Sequence, residues 1–391
     1  MPATPSHPRA SRLWSVDVLR GSAALGVVVY HAVGVGHLLD PREVWPTYQT
    51  LLPRLASIGA SGVMLFFVIS GFCIHLRQAR AGASGVVRWG AFWQRRFFRL
   101  YPAYLAALIL YAGSLTLRGE WKGNPAYELA LHLGLVQNLD PRVAFSLTGV
   151  FWSLAVEEQL YALYPALLYL RERRGWRTTL LALFGIRFAT FVMCDWSYRT
   201  FGISQPFGAS APALWICWAL GAFAAEAHCG RVRLARSASS GWISSGLVVG
   251  SLLLKDVQYL LDPSTMLSKL WWLLGQPALP VLTALGYFIC LNAAIAREGR
   301  ALESDTMALW VRGLAGVGLF SYSLYLTHEW VFRDLGQLIS ELSGDSGSWL
   351  ADRRPLLIPA CVGVAYVFYL MFERPFLAVG TSNKSPAERR G

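Results

Sequence analysis

The sequence predicts an all-α integral membrane protein of about ten transmembrane helices with both termini in the cytoplasm. Three observations predict it. Of 391 residues, 54% are hydrophobic and only 15% charged, with a mean hydropathy of +0.41, whereas soluble domains carry about 25% charged residues. Apolar residues gather into runs of spanning length, about 17 to 25 residues, near 16–38, 55–76, 100–117, 149–170, 178–194, 209–228, 242–261, 271–295, 313–333 and 355–376. Basic residues fall in short clusters between these runs. With the N-terminus inside, the cytoplasmic segments hold 22 Lys and Arg and the opposite side 10, as the positive-inside rule requires. The formal charge of +12 is therefore an orienting device, and no nucleic-acid partner is expected. One transmembrane domain is expected over 1–376, then a polar cytoplasmic tail over 377–391, with no appended soluble domain.

The first run follows a short basic start (Arg9, Arg12) and contains LRGSAALGVVVYH. Its length, charges and lack of a small-residue cleavage site mark it as retained rather than a signal peptide. Arg20 and His31 are eleven residues apart. On an α-helix that is three turns plus about 20°, so both fall on one face, roughly 16 Å apart along the axis. A charged group at the bilayer centre costs of order 2.5 to 3.5 kcal/mol, so an arginine near one end and an imidazole expected near mid-bilayer point to function. The alternative is an interfacial arginine that snorkels and a histidine bonded to a neighbouring helix.

The second run ends in FFVISGFCIHLR, where Ser70 and Gly71 interrupt the apolar pattern. Either the helix breaks there and exposes backbone groups, or the glycine makes a tight helix contact. The connection that follows is the most basic in the chain: Arg77, Arg80, Arg88, Arg95, Arg96 and Arg99 interleave with Trp89, Phe92, Trp93 and Phe97. Two readings stand, an amphipathic helix on an anionic membrane surface and phosphate recognition by guanidinium forks. The third run leads into the longest external connection, 118–148, whose YELALHLGLVQNL section predicts a short interfacial or re-entrant helix.

The fourth run, FWSLAVEEQLYALYP, places Ser153, Glu157, Tyr161 and Tyr164 on one stripe and turns Glu158 about 100° away. Glu157 either pairs with an intramembrane arginine, Arg20 or Arg187, or lies beside an imidazole and raises its basicity. The next four runs complete the bundle. The ninth holds SYSLYLTHEW, with Ser321, Tyr325 and His328 sharing a face near the outer end. His328 is either a satisfied hydrogen-bonding residue or a contact for an acceptor substrate. The tenth closes in FERPF before the tail TSNKSPAERRG. Six scattered cysteines (Cys73, Cys194, Cys217, Cys229, Cys290, Cys361) show no metal-ligand spacing, so neither a disulfide framework nor a metal site is expected.

Taken in order, Arg20 with His31, the SGF of Ser70 to Phe72, RRFFRLYPAY from Arg95 to Tyr104, FWSLAVEEQLYALYP, SYSLYLTHEW and FERPF resemble the bacterial acyltransferase 3 family of integral-membrane O-acyltransferases. The resemblance runs from Asp17 to Phe376. It implies a ten-helix enzyme of the bacterial cell membrane that moves an acyl group, most often acetyl, from cytosolic acyl-CoA to a hydroxyl of a carbohydrate, a glycan or a glycosylated secondary metabolite such as a macrolide. It also implies an essential histidine at His31 with Arg20 as its motif partner, and the stand-alone form of the family.

The chemistry suits those residues. An alcohol attacks a thioester once a base removes its proton, and neutral imidazole does that near pH 7. The expected catalytic pair is His31 as base and Glu157 as its orienting or proton-accepting partner. Arg20, Arg95, Arg96 and Arg99 are expected to hold the donor's phosphates. Ser70, Ser153, Tyr161, Tyr325 and His328 complete the candidate binding residues. No bound cofactor is expected, and acyl-CoA enters as donor substrate. The competing reading is a proton-coupled multi-pass transporter that uses the same intramembrane Glu and His. No histidine begins an HxxxD or HxxxxD arrangement and no GxSxG elbow is present, which sets aside the soluble acyltransferase signatures.

Overall fold

In the computed structural model, which describes residues 13–33, 51–82, 86–204, 206–301, 308–343 and 354–379, the chain is helical throughout, with no strand among the described residues. The helices are α1 (Trp14–Ala32), α2 (Leu51–Ala60), α3 (Gly62–Ala81), α4 (Trp89–Arg118), α5 (Pro125–Leu133), α6 (Phe151–Phe201) and α7 (Ala211–His228). They continue with α8 (Gly241–Leu260), α9 (Met266–Ala301), α10 (Leu309–Leu319), α11 (Ser321–Trp330), α12 (Gly336–Ser343), α13 (Ile358–Phe368) and α14 (Arg374–Val379). Among the described residues, five stretches are long and apolar enough to cross a bilayer: Ala56–Ala81, Trp89–Arg118, Phe151–Phe201, Met266–Glu298 and Arg354–Leu377. The chain is a multi-pass membrane protein.

The expected runs fall on these helices, with informative differences. The first was expected over 16–38; α1 ends at Ala32, with His31 in its last turn, and residues 34–50 lie outside the described part, as does the tail beyond Val379. The arginine-rich connection does not form a separate surface helix. Its second half is the start of α4, 30 residues long, so the basic aromatic turns and the third run are one rod of roughly 45 Å. Pro102 sits inside it, tolerated as prolines are in membrane helices. The predicted helix of the 118–148 connection is present as α5. Asn124 caps it by accepting from the Tyr127 N–H at 3.2 Å, with Pro125 in the first turn.

The fourth and fifth runs meet at Gly175, within RERRGWR, where φ 71 and ψ 168 break the helical path of α6. Only glycine adopts that conformation without strain. The turn is pinned from α7. Glu226 accepts from Trp176 Nε1 at 2.7 Å and pairs with Arg171 at 2.5 Å and with His75 at 3.1 Å, while the other ring nitrogen of His75 meets Tyr164 Oη at 3.0 Å.

Gly71 resolves the two readings of the SGF stretch. Helix α3 runs unbroken through it, and a Cβ at Gly71 would meet the carbonyl oxygen of Trp218, while one at Gly221 would meet that of Val68. Two backbones thus touch through paired glycines, the small-residue contact that packs helices in lipid. Arg187 is likewise explained by backbone. Pro280 has no N–H for the carbonyl of Gln276 one turn earlier. The Arg187 guanidinium donates to that carbonyl at 3.4 Å, to Pro277 O at 2.5 Å and to Ala213 O. Among the described residues no carboxylate meets it, and the expected pairing with Glu157 is not formed.

Candidate functional site

Two polar centres inside the bundle gather the expected site residues. The first joins the last turn of α1 to the end of α11. His31 and His328 are 297 positions apart, yet their rings stand 5.0 Å apart. His328 Nδ1 faces the carbonyl oxygen of Leu324 at 3.1 Å. A carbonyl only accepts, so Nδ1 carries the proton and Nε2 presents its lone pair. His31 Nδ1 therefore donates to that nitrogen, at 2.9 Å. The remaining nitrogen of His31, Nε2, faces Glu329 Oε1 at 3.4 Å. The other carboxylate oxygen of Glu329 accepts from the Gly149 N–H at 2.8 Å and from Thr148 Oγ1. His31 and Glu329 are 12% and 10% exposed, so the pair is shielded from water without being sealed.

The helix is distorted just beyond these residues. The Trp330 N–H donates to Tyr111 Oη at 2.9 Å, and that hydroxyl donates to Leu326 O at 3.2 Å. Val331–Leu335 follows as a π-helical turn. Such turns recur at functional sites.

The second centre is a cavity of about 260 Å³ bounded by α1, α3, α4, α6 and α11. Arg20, Arg96 and Arg99 line it together with Ser70, Ser153, Glu157, Tyr161 and Tyr325. Glu157 accepts from Ser70 Oγ at 2.6 Å and from Tyr161 Oη. Ser153 Oγ and Tyr325 Oη are 2.7 Å apart. Arg96 leaves its buried Nε without a hydrogen-bond partner. Glu373, in the π-helical turn Tyr369–Glu373, lies within electrostatic reach of Arg99 and Arg20 and accepts from Ser323 Oγ at 2.7 Å. Three guanidinium groups against few carboxylates leave the cavity cationic.

The structure therefore distributes the expected site residues over both centres. Arg20, Arg96, Arg99, Ser70, Ser153, Glu157, Tyr161 and Tyr325 share the arginine cavity, and His31 and His328 share the histidine pair. Among the described residues the carboxylate beside the His31 imidazole is Glu329, whereas Glu157 meets Ser70 and Tyr161. Glu157 sits on the stripe that its helical spacing dictates, but that stripe faces Ser70 of α3. Arg95 is also set apart. One turn before Arg99 and about 6 Å further along α4, it lines a separate pocket with Arg77 and Arg88. Sequence reading missed Glu329, Thr148, Gly149 and Tyr111. The one local signal was Glu329 itself, a carboxylate directly after His328 in an apolar helix.

His31, His328 and Glu329 each offer a ligand atom within 4.8 Å of the others, a set of the kind that holds divalent metals. Here His31 meets His328 through Nδ1 and Glu329 through Nε2.

The family model for the acyltransferase domain, acyltransferase 3, matches residues 13–372. The chain is 27% identical to the acyltransferase MdmB of Streptomyces mycarofaciens over 375 residues, covering 92% of this chain and 89% of that one. It is 28% identical to a putative O-acetyltransferase of Staphylococcus aureus strain COL over 164 residues, 39% of this chain and 24% of that one. It is also 28% identical to the O-acetyltransferase OatA of Staphylococcus aureus over 181 residues, 43% of this chain and 27% of that one. No solved structure matches the chain.

Proposed function

The chain belongs to the acyltransferase 3 family, and on that premise we propose that it is an O-acyltransferase. In this reading it moves an acyl group, most simply acetyl, from cytosolic acyl-CoA to a hydroxyl of a carbohydrate, a glycan or a glycosylated secondary metabolite such as a macrolide. The names of its relatives support oxygen as the acceptor atom. In the same reading the protein spans the bacterial cell membrane ten times as one domain over 1–376, with both termini and the tail 377–391 in the cytoplasm. The charge asymmetry of 22 to 10 supports that topology.

The observation that carries the reading is His31 Nε2 facing Glu329 at 3.4 Å, with Nδ1 engaged by His328. In this reading Nε2 is the nitrogen that accepts the proton of a substrate hydroxyl, with Glu329 beside it. The alcohol oxygen then bonds to the thioester carbonyl carbon and its proton passes to Nε2. Glu329 stabilises the imidazolium so formed, as the triad carboxylate does in hydrolases. Collapse of the tetrahedral adduct breaks the C–S bond, and the proton returns to the departing thiolate. Arg20, Arg96 and Arg99 are positioned to hold donor phosphates through charge-assisted hydrogen bonds.

The test is acyl-CoA-dependent modification of hydroxylated acceptors by the purified protein in lipid nanodiscs. His31→Ala should lose 10²- to 10⁴-fold in rate, the usual cost of a lost general base, while inserting normally. Wild-type protein that transports but never acylates would decide for the transporter. A His31→Ala variant with more than about a tenth of wild-type activity would exclude the base.

A further inference from the structure

A pocket of about 90 Å³ is lined by Arg77 and Gln78 near the end of α3 and by Arg88, Phe92 and Arg95 where α4 begins. Two stretches of spanning length meet at it: Ala56–Ala81 ends beside it and Trp89–Arg118 starts beside it. The pocket therefore lies at a membrane–water interface, the depth of phospholipid headgroups. Trp93 and Phe97, one position after Phe92 and Arg96 on α4, are exposed, as interfacial aromatic residues are.

We propose that this pocket binds the headgroup phosphate of an anionic phospholipid, one without an ammonium group, and so ties the end of α3 to the start of α4. The proposal goes beyond the transferase reading and does not need it.

The charges of the lining select that ligand. Arg77, Arg88 and Arg96 all act on Arg95 as neighbouring like charges. Held this close they repel, and a phosphate seated among them turns the repulsion into attraction. Guanidinium forks match phosphate oxygens two at a time. Arg88 is the N-cap residue of α4, so the positive end of a 30-residue helix opens on the same pocket. A zwitterionic headgroup brings its own ammonium into this field and loses the advantage. Basic pockets between membrane helices hold anionic headgroups by the same physics. The site also bears on the arginine cavity: Ile74 lines both, and Arg95 directly precedes Arg96, so a bound lipid fixes the ends of two helices that border that cavity.

The experiment is native mass spectrometry of the full chain released from detergent, titrated with dioleoyl phosphatidylglycerol or dioleoyl phosphatidylcholine and read as the dissociation constant of the first bound lipid. Phosphatidylglycerol should bind about tenfold more tightly than phosphatidylcholine. Arg77→Gln and Arg88→Gln should each weaken phosphatidylglycerol by about fivefold and leave phosphatidylcholine unchanged. Both arginines are exposed, so their variants keep the fold. Arg236, exposed and outside the pocket lining, is the control: Arg236→Gln should change neither lipid. Saturating coenzyme A should leave the lipid in place. Equal affinity for the two lipids, wild-type affinity in either pocket variant, or an equal loss in Arg236→Gln would overturn the proposal. So would displacement of the lipid by coenzyme A, which would assign the pocket to the donor's phosphates. Binding requires no turnover, so a chain that never acylates still tests the lipid site, and a failed lipid site leaves the transferase reading standing.

Discussion

Replacing Glu329 by Gln tests the proton chain at its least redundant point. The amide keeps the size of the side chain, and its oxygen still accepts from Thr148 and Gly149, so folding is little affected. What changes is the field at His31 Nε2. At 3.4 Å, a carboxylate and an imidazolium attract by about 5 kcal/mol at an effective dielectric of about 20, and by about 1 kcal/mol in water. With both groups about nine-tenths covered, the larger figure is the better guide. It corresponds to roughly four thousandfold, inside the 10²- to 10⁴-fold expected of general-base catalysis. The amide also donates to the nitrogen that has to receive the proton. Single-turnover acyl transfer with saturating acyl-CoA should therefore slow by two to four orders of magnitude in Glu329→Gln, at unchanged melting temperature. A Glu329→Gln rate within about threefold of wild type, with Glu157→Gln the slower variant, would refute the assignment and return the base's partner to Glu157.

Arg20→Lys keeps the charge in the arginine cavity but loses the planar fork suited to phosphate; the apparent Michaelis constant for acyl-CoA should rise while the melting temperature holds, and an unchanged donor constant rejects the phosphate role. Gly71→Leu drives a side chain into the Trp218 carbonyl of α7, so thermal unfolding in detergent should show a loss of about 1 to 3 kcal/mol. Gly113→Leu, where no neighbouring atom lies within 4 Å of an added Cβ, is the control that should be silent. Glu226→Ala leaves Arg171, His75 and Trp176 without their shared acceptor and should destabilise by about 3 to 5 kcal/mol; a melting temperature equal to wild type would show that the Gly175 turn does not depend on this pin.

What could be read from the sequence alone is what helical periodicity and transfer free energy dictate locally. Apolar runs became helices because a backbone in lipid has to satisfy its own hydrogen bonds. The Gly175 turn falls inside the cytoplasmic connection expected at 171–177, since glycine and a cluster of arginines cannot continue an apolar span. Ser153, Glu157 and Tyr161 share a cavity because their spacing puts them on one stripe. The tertiary structure alone decided which stripe faces which. His31 could not be matched with Glu329 from sequence, because hundreds of positions separate them and no propensity encodes how α1 docks against α11. Glu157 and Glu329 are equally plausible partners by residue type; the close backbone approach of α1 to α10 at Gly21 and Gly318, just before α11, favours Glu329 by setting how those helices meet. Arg95 and Arg187 make the same point. Their charge is legible in the chain, but whether it meets a ligand, a carboxylate or backbone carbonyls depends on the neighbour that packing supplies.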